Sequence, residues 1–267
     1  MPPCDQLFGK GAIVETGLKG KTCVIFGASS GIGAAVARRF GALGVSVLVH
    51  YNANGAGAEA VVAAIRDAGG TADSIGGDIA DPAIASHIVD EAQRRLGRLD
   101  IVINNAGTMF GRTPIADATD EQYRNVIDLN VGGVFFASRR AAKIMSEQKS
   151  GTIINTTSIA ARTGGGDGAG LYGSAKAFVS TITRVLAKEL APHGVRVNAV
   201  APGVIATNFH EVNSTPAQLA AAVKGIPMGR LGTPEDCIGA YQFLADDTLS
   251  GYITGQVIEV NGGQLMP

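Results

Sequence analysis

A chain of 267 residues, 46% hydrophobic and 17% charged, holds enough apolar material for one substantial core, and a single large α/β domain is the simplest reading. A net charge of −1 without any basic block argues against nucleic acid or an anionic membrane surface as partner. No apolar run reaches membrane-spanning length, and Cys4, Cys23 and Cys237 are too scattered for a disulfide framework or a zinc site. A small-molecule partner in a reducing cytoplasm is therefore expected.

In chain order, residues 1–18 lack the long apolar segment of a signal peptide and read as a terminal extension, with one domain over 19–267. From residue 20 onward, short β-branched runs alternate with longer helical patterns. Strands are predicted at 22–27, 45–51, 71–78, 100–107, 152–158, 196–202 and 256–262, several of them apolar on both faces. Helices are predicted at 31–43, 55–68, 81–96, 119–147, 171–191 and 234–245, with breaks at Gly69-Gly70, Pro82, Pro192 and Pro202. This alternation implies a doubly wound Rossmann fold: a seven-stranded parallel sheet flanked by helices, with ligands at the carboxyl ends of its strands. The irregular stretch 204–233 follows the sixth strand and is placed to act as a lid over that edge.

After the first strand, "GASSGIG" turns directly into a helix. Gly27, Gly31 and Gly33 remove Cβ obstruction there, so the backbone around Ser29, Ser30 and Ile32 and the helix dipole can face a pyrophosphate. The spacing differs from G-x-G-x-x-G, and the absence of a following Gly-Lys-Ser/Thr excludes a P-loop. "GASSG" also satisfies G-x-S-x-G with Ser29 as nucleophile, a hydrolase alternative. Its position on the first strand, before any neighbouring strand that would supply an oxyanion donor, counts against that reading.

Farther along, "YGSAK" places Tyr172 and Lys176 four apart on a predicted helix, hence on one face. A nearby ammonium is expected to lower the phenol pKa, so that Tyr172 can give a proton to a carbonyl oxygen as hydride reaches its carbon, or take one from an alcohol. Ser158, at the end of the fifth predicted strand, can hydrogen-bond the same substrate oxygen. The glycine run between them carries the chain across the cavity mouth.

With these pieces assembled, the sequence resembles the short-chain dehydrogenase/reductase family from about Lys19 to its end. The matching segments are "GASSGIG", "GDIAD" (77–81), "NNAG" (104–107), "LNVGG" (129–133), Ser158, "YGSAK", "APGVIAT" (201–207) and "GQVIEVNGG" (255–263). The resemblance implies a catalytic group of Asn130, Ser158, Tyr172 and Lys176, with Asn130 holding a water that links Lys176 to solvent. It further implies that Asp78 and Ile79 flank an adenine and that Asn105, Ala106 and Gly107 line the cofactor. Pro202, Gly203 and Thr207 meet its nicotinamide side, and Lys176 bonds the nicotinamide ribose. A homotetramer built through the alanine-rich helices is implied as well. Two departures stand out: Phe26 replaces the family's common Thr, and Ser158 and Tyr172 lie fourteen positions apart, one more than usual. Either the extra residue bulges within "TGGGDGAG", or the register shifts so that Thr157 or no hydroxyl faces the substrate.

The second strand ends in His50, Tyr51, Asn52 and Asn54, with no carboxylate to bind ribose hydroxyls or repel a 2′-phosphate. NADP(H) is therefore the expected cofactor, with NAD(H) the alternative. His50 reads equally as a surface histidine, and the remaining histidines show no metal-ligand spacing. The substrate is expected to be a carbonyl compound or alcohol. The resemblance is nearest to 3-oxoacyl-(acyl-carrier-protein) reductases, with sugar or polyol dehydrogenases as the alternative and a non-catalytic NADPH sensor as a remote one. The small apolar residues of 204–227 suit the first better. Arg112, in the loop after "NNAG", is placed to receive an anionic group, although loop arginines are commonly just solvated.

Overall fold

The computed structural model of the protein describes residues 16–266. Seven strands form one parallel sheet: β1 (Thr22–Phe26), β2 (Ser46–Tyr51), β3 (Ala72–Gly76), β4 (Ile101–Asn104), β5 (Gly151–Thr156), β6 (Val195–Pro202) and β7 (Val257–Val260). Their order is β3-β2-β1-β4-β5-β6-β7. The order reverses between β1 and β4, which pair from Cys23↔Ile101 to Phe26↔Asn104, and a cleft opens at their carboxyl ends.

Both faces of the sheet are covered, which is why β1 and β6 are buried along their whole length. One face packs against α1 (Gly31–Ala42), α2 (Gly55–Asp67) and α10 (Pro234–Ala245), through Phe40, Ile65, Tyr241 and Leu244. The other packs against α3 (Pro82–Leu96), α5 (Val134–Gln148) and α7 (Gly170–Leu190), through Ile88, Val89, Ile144 and Leu190. Leu18, assigned from sequence to the terminal extension, is fully buried in the first of these layers. Thr16 and Gly17 are tied to the Asp246 carboxylate. The extension thus joins the core before residue 19; Cys4 and residues 1–15 lie outside the described residues.

The predicted strands at 71–78, 100–107 and 152–158 each run two or three residues too far. Sequence pattern cannot see where a ladder ends, and the overshoot falls on the residues that leave the sheet to form the cleft. The single helix predicted over 119–147 is α4 (Asp120–Ile127) and α5 joined by a π-helical turn, Asp128–Gly133. Wide turns of this kind recur at functional sites. The segment 204–233 contains two short helices, α8 (Asn208–Asn213) and α9 (Pro216–Lys224), and is pinched at its base by a parallel bridge between Ile205 and Gly232. A one-turn helix, α6 (Ala160–Thr163), follows β5. Among the described residues, no helix is long and apolar enough to cross a membrane.

Candidate active site

A cleft of about 720 Å³ runs from the turn after β1 to the underside of α8. Its floor at one end is the glycine turn. Gly27 and Gly31 both have positive φ, 71° and 55°, and a Cβ on Gly33 would stand 2.3 Å from the Gly27 carbonyl oxygen. Helix α1 therefore lies directly against its own entry loop. Ser30 caps that helix without a side-chain hydrogen bond, and the first turn carries no acidic residue, so its amides stay available for an anion. A Cβ on Gly107 would come within 2.6 Å of Asn130 Oδ1 and 2.9 Å of Lys176 Nζ. Bare backbone around this cleft, with an uncapped helix start, fits the elongated phosphate-bearing shape of a dinucleotide.

His50 is neither a surface histidine nor a loose contact. It is 1% exposed; its Nδ1 accepts from the Gly27 amide at 3.1 Å and its Nε2 donates to the Gly77 carbonyl at 2.9 Å. Both partners are fixed in type, so the ring must be neutral with its proton on Nε2. Burial lowers its pKa, consistent with that tautomer. The imidazole thereby ties the first turn to the loop after β3 and is unavailable as a base to Ser29, which removes the nucleophile-elbow reading. Tyr51, expected to contact cofactor, does not line the cleft: its ring packs over Gly55 and Gly76. Asn52 does line it, together with Asn54, whose carboxamide oxygen caps α2 at Gly57. Asp78 lines the cleft too and also accepts from the Ala80 amide.

At the other end, Ser158, Tyr172 and Lys176 share one wall. Four contacts set their relative position. Thr157 Oγ1 donates to the Lys176 carbonyl at 2.8 Å and meets Ser180 Oγ, which orients α7 against the end of β5. A buried network of Asn104, Asn155 and Thr183 ties the same helix to β4 and β5. Gly173 permits close approach, since a Cβ there would stand 2.9 Å from the carbonyl oxygens of Ala160 and Gly164. The Thr157 hydroxyl is thus spent on the Lys176 carbonyl and Ser180, and Ser158 is the neighbouring hydroxyl on the cleft wall it shares with Tyr172. In the glycine run between them, Gly164, Gly165 and Gly168 all have positive φ.

Asn130 does not line the cleft; it lies behind it, on the π-helical turn. Its amide nitrogen donates to the carbonyls of Thr108 and Val126, and its Oδ1 is buried without a partner among the described residues. That acceptor sits beside Gly107 in the direction of Lys176 Nζ.

One expectation is corrected. Lys176 is expected to lower the Tyr172 pKa, yet burial pushes the half-buried phenol well above its ordinary value, opposed only by the nearby Ser158 hydroxyl. Lys176 is itself pulled down to about 8 by burial, and its Nζ donates to the Thr156 carbonyl at 3.0 Å, 5.6 Å from the centre of the Tyr172 ring. At neutral pH the phenol is therefore a proton donor. A lysine at 1% exposure with a depressed pKa also costs stability while it is charged. Below pH 8 it is protonated in both folded and unfolded states and the penalty is complete; between 8 and its ordinary 10.5 the penalty fades. Lys176→Met is accordingly expected to be more stable than wild type by about 1–3 kcal/mol at pH 7, with the gap narrowing towards pH 10. Urea unfolding at the two pH values tests this, and an equal or less stable variant with no convergence would refute it.

Sequence reading missed the residues of α8 that close this end. Phe209 stacks at 5.4 Å from the Tyr172 ring, and Asn208, His210, Val212 and Asn213 complete the wall with Met109. No local pattern in "VIATNFHEVNS" distinguishes them, because their role arises from where the pinched segment folds back.

The comparisons agree with this geometry. A family model described as enoyl-(acyl carrier protein) reductase matches residues 27–264. The chain is 40% identical over 252 residues to a 3-oxoacyl-[acyl-carrier-protein] reductase of Synechocystis sp., covering 94% of this chain and 99% of that one. It is also 40% identical over 251 residues to a 3beta-hydroxysteroid dehydrogenase of Eggerthella lenta, covering 93% and 95%. Among solved structures, an NADH-dependent reductase responsible for alginate metabolism superposes with a TM-score of 0.86 at 35% identity, covering 94% of this chain and 99% of that one; the same reductase is known in complex with NAD. The chain belongs to the short-chain dehydrogenase/reductase family and is an NAD(P)-dependent oxidoreductase.

Proposed function

We propose that this protein is a carbonyl reductase that prefers NADP(H), with a 3-oxoacyl group, thioester-linked or free, as its substrate class. The observation that carries the reading is that Ser158, Tyr172 and Lys176 line one cleft with the glycine turn after β1. The bound nicotinamide supplies hydride to the carbonyl carbon. Tyr172 gives its proton to the carbonyl oxygen, and Ser158 holds that oxygen in place. Lys176 positions the cofactor ribose and keeps a positive charge near the phenol, while Asn130 Oδ1 anchors the path along which the phenol regains its proton. A phenol held protonated by burial favours reduction over alcohol oxidation at neutral pH.

The NADP(H) preference rests on the absence of a carboxylate at residues 51–54, where an acid would repel a 2′-phosphate. The apolar wall of Met109, Phe209 and Val212 suits an acyl chain better than a polyhydroxylated sugar. Exposed apolar side chains on α4, α5 and α7, namely Tyr123, Phe135, Phe178 and Val185, support a homotetramer through those helices. A cytoplasmic location accords with the free, buried Cys23 and Cys237.

The test is steady-state turnover of a carbonyl and alcohol panel with NADPH and NADH in parallel, on a preparation whose mass is read by light scattering. Expected are higher kcat/KM with NADPH, 3-oxoacyl compounds as the best substrates, and a mass four times the 27.2 kDa protomer. Equal or better use of NADH would remove the preference, a protomer mass would remove the tetramer, and cofactor binding without oxidation across the panel would leave a sensor.

A further inference from the structure

Arg112 lies in the loop after β4 and lines the same cleft as Tyr172 and Ser158. It is not solvated in the ordinary way of a loop arginine. Its Nε donates to the Asn213 carbonyl at 2.6 Å, one Nη1 proton goes to the Asp167 carbonyl at 3.0 Å, and Nη2 reaches Ser214 Oγ at 3.4 Å. The guanidinium therefore fastens together three segments: its own loop, the glycine run before α7 and the end of α8. Neighbouring backbone contacts reinforce the clasp, with the Gly111 amide donating to Asn213 Oδ1 and the Thr113 amide to the Gly168 carbonyl. The clasp thereby holds the glycine run that separates Ser158 from Tyr172.

All three acceptors are neutral. None of the ion pairs among the described residues includes Arg112, so a half-buried charge stands at the site without a counter-charge. A guanidinium has five N–H donors, and these bonds take three, leaving two. The same hydroxyl links the clasp to a second side chain: Ser214 Oγ, which accepts from Arg112, also shares a hydrogen bond with His210 Nδ1, 3.0 Å away. His210 also lines the cleft. A pinned cation with unmatched donors in the cleft wall is a receptor for anionic oxygen.

The geometry points to a substrate that carries an anionic oxygen group, carboxylate or phosphate, which pairs with Arg112 while its carbonyl is presented to Tyr172 and Ser158. This inference rests on the carbonyl-reductase reading and narrows its substrate class. A carboxylate would belong to a small oxo acid, a phosphate to the arm of a carrier thioester; the chemistry that Arg112 recognises is shared.

Two matched pairs separate the sources. Acetoacetate is compared with its methyl ester, and acetoacetyl-coenzyme A with the acetoacetyl thioester of N-acetylcysteamine, which lacks the phosphates. In at least one pair the charged member is expected to show at least a tenfold higher kcat/KM, carried by KM. Arg112→Met should bring that charged-to-neutral ratio close to one, and Arg112→Lys, which keeps the charge without the fork, should give an intermediate ratio. A merely structural clasp would lower both members of a pair alike and leave the ratio unchanged. The same ratios are read from ligand binding to the enzyme–NADPH complex by nicotinamide fluorescence. Absence of hydride transfer with the binding ratio intact would count against the reductase reading and not against the anion site. Neutral members equal to charged ones in both pairs, or an undiminished ratio in Arg112→Met, would overturn the inference.

Discussion

Tyr172→Phe is expected to lower turnover by roughly 10²- to 10⁴-fold, the range that a positioned proton donor contributes. The substitution removes one oxygen and leaves the ring, which packs against Phe209, in place. Dinucleotide affinity should stay within a few-fold of wild type, because the glycine turn and the His50 tie are remote from the phenol. The folded state should be little affected, since the neighbouring Ser158 hydroxyl keeps its bond from the Ala160 amide. Single-turnover oxidation of prebound NADPH by a reducible carbonyl is the decisive measurement. Turnover retained within tenfold of wild type would show that another group delivers the proton.

Gly33→Ala should damage the dinucleotide end as severely. The atoms that its new Cβ would meet are the Gly27 carbonyl oxygen at 2.3 Å, Asn105 Nδ2 at 2.7 Å and Ala28 Cα at 3.0 Å, two of them backbone. No rotamer change relieves such an overlap, so α1 must move away from its entry loop. Overpacking of this kind costs about 1–3 kcal/mol, and a displaced turn should weaken dinucleotide binding by roughly tenfold or more. Gly97→Ala is the informative control. Its φ of 80° penalises an L side chain, but nothing lies within 4 Å of its Cβ position, so it should cost about 1 kcal/mol and leave cofactor binding unchanged. Fluorescence titration with NADPH alongside thermal unfolding distinguishes the two; a Gly33→Ala protein that binds NADPH normally would contradict the close-packed turn.

Much of the site was legible before folding was considered. The glycines at 27, 31 and 33 and the pair Tyr172 and Lys176 are encoded by short spacing, and spacing is what a strand-to-helix turn or one helical face constrains directly. Strand alternation with helices was equally plain, because burial on both faces of a parallel sheet leaves continuous apolar runs. Residues whose roles depend on distant partners were not legible. His50 reads as a surface residue or a cofactor contact from sequence; it lines the cleft, and only the approach of Gly27 and Gly77 from two other strand ends makes it a buried tie as well. Tyr51 has the same local character as Asn52, yet strand alternation and the flat backbone at Gly55 and Gly76 turn its ring away from the cleft.

The sequence by itself determined the order of elements, the bare backbone at the phosphate turn and the presence of a phenol, an ammonium and a hydroxyl at the right intervals. Those properties follow from local backbone geometry and from the periods of strand and helix. Tertiary structure decided the direction in which the Tyr172 pKa moves, because burial, and not the field expected of Lys176, dominates there. It also decided that Arg112 clasps three segments and that Asn130 leaves one acceptor unpaired behind the cleft. Desolvation and hydrogen-bond partnership are set by groups up to about a hundred residues apart in the chain, and no spacing rule within a segment can report them.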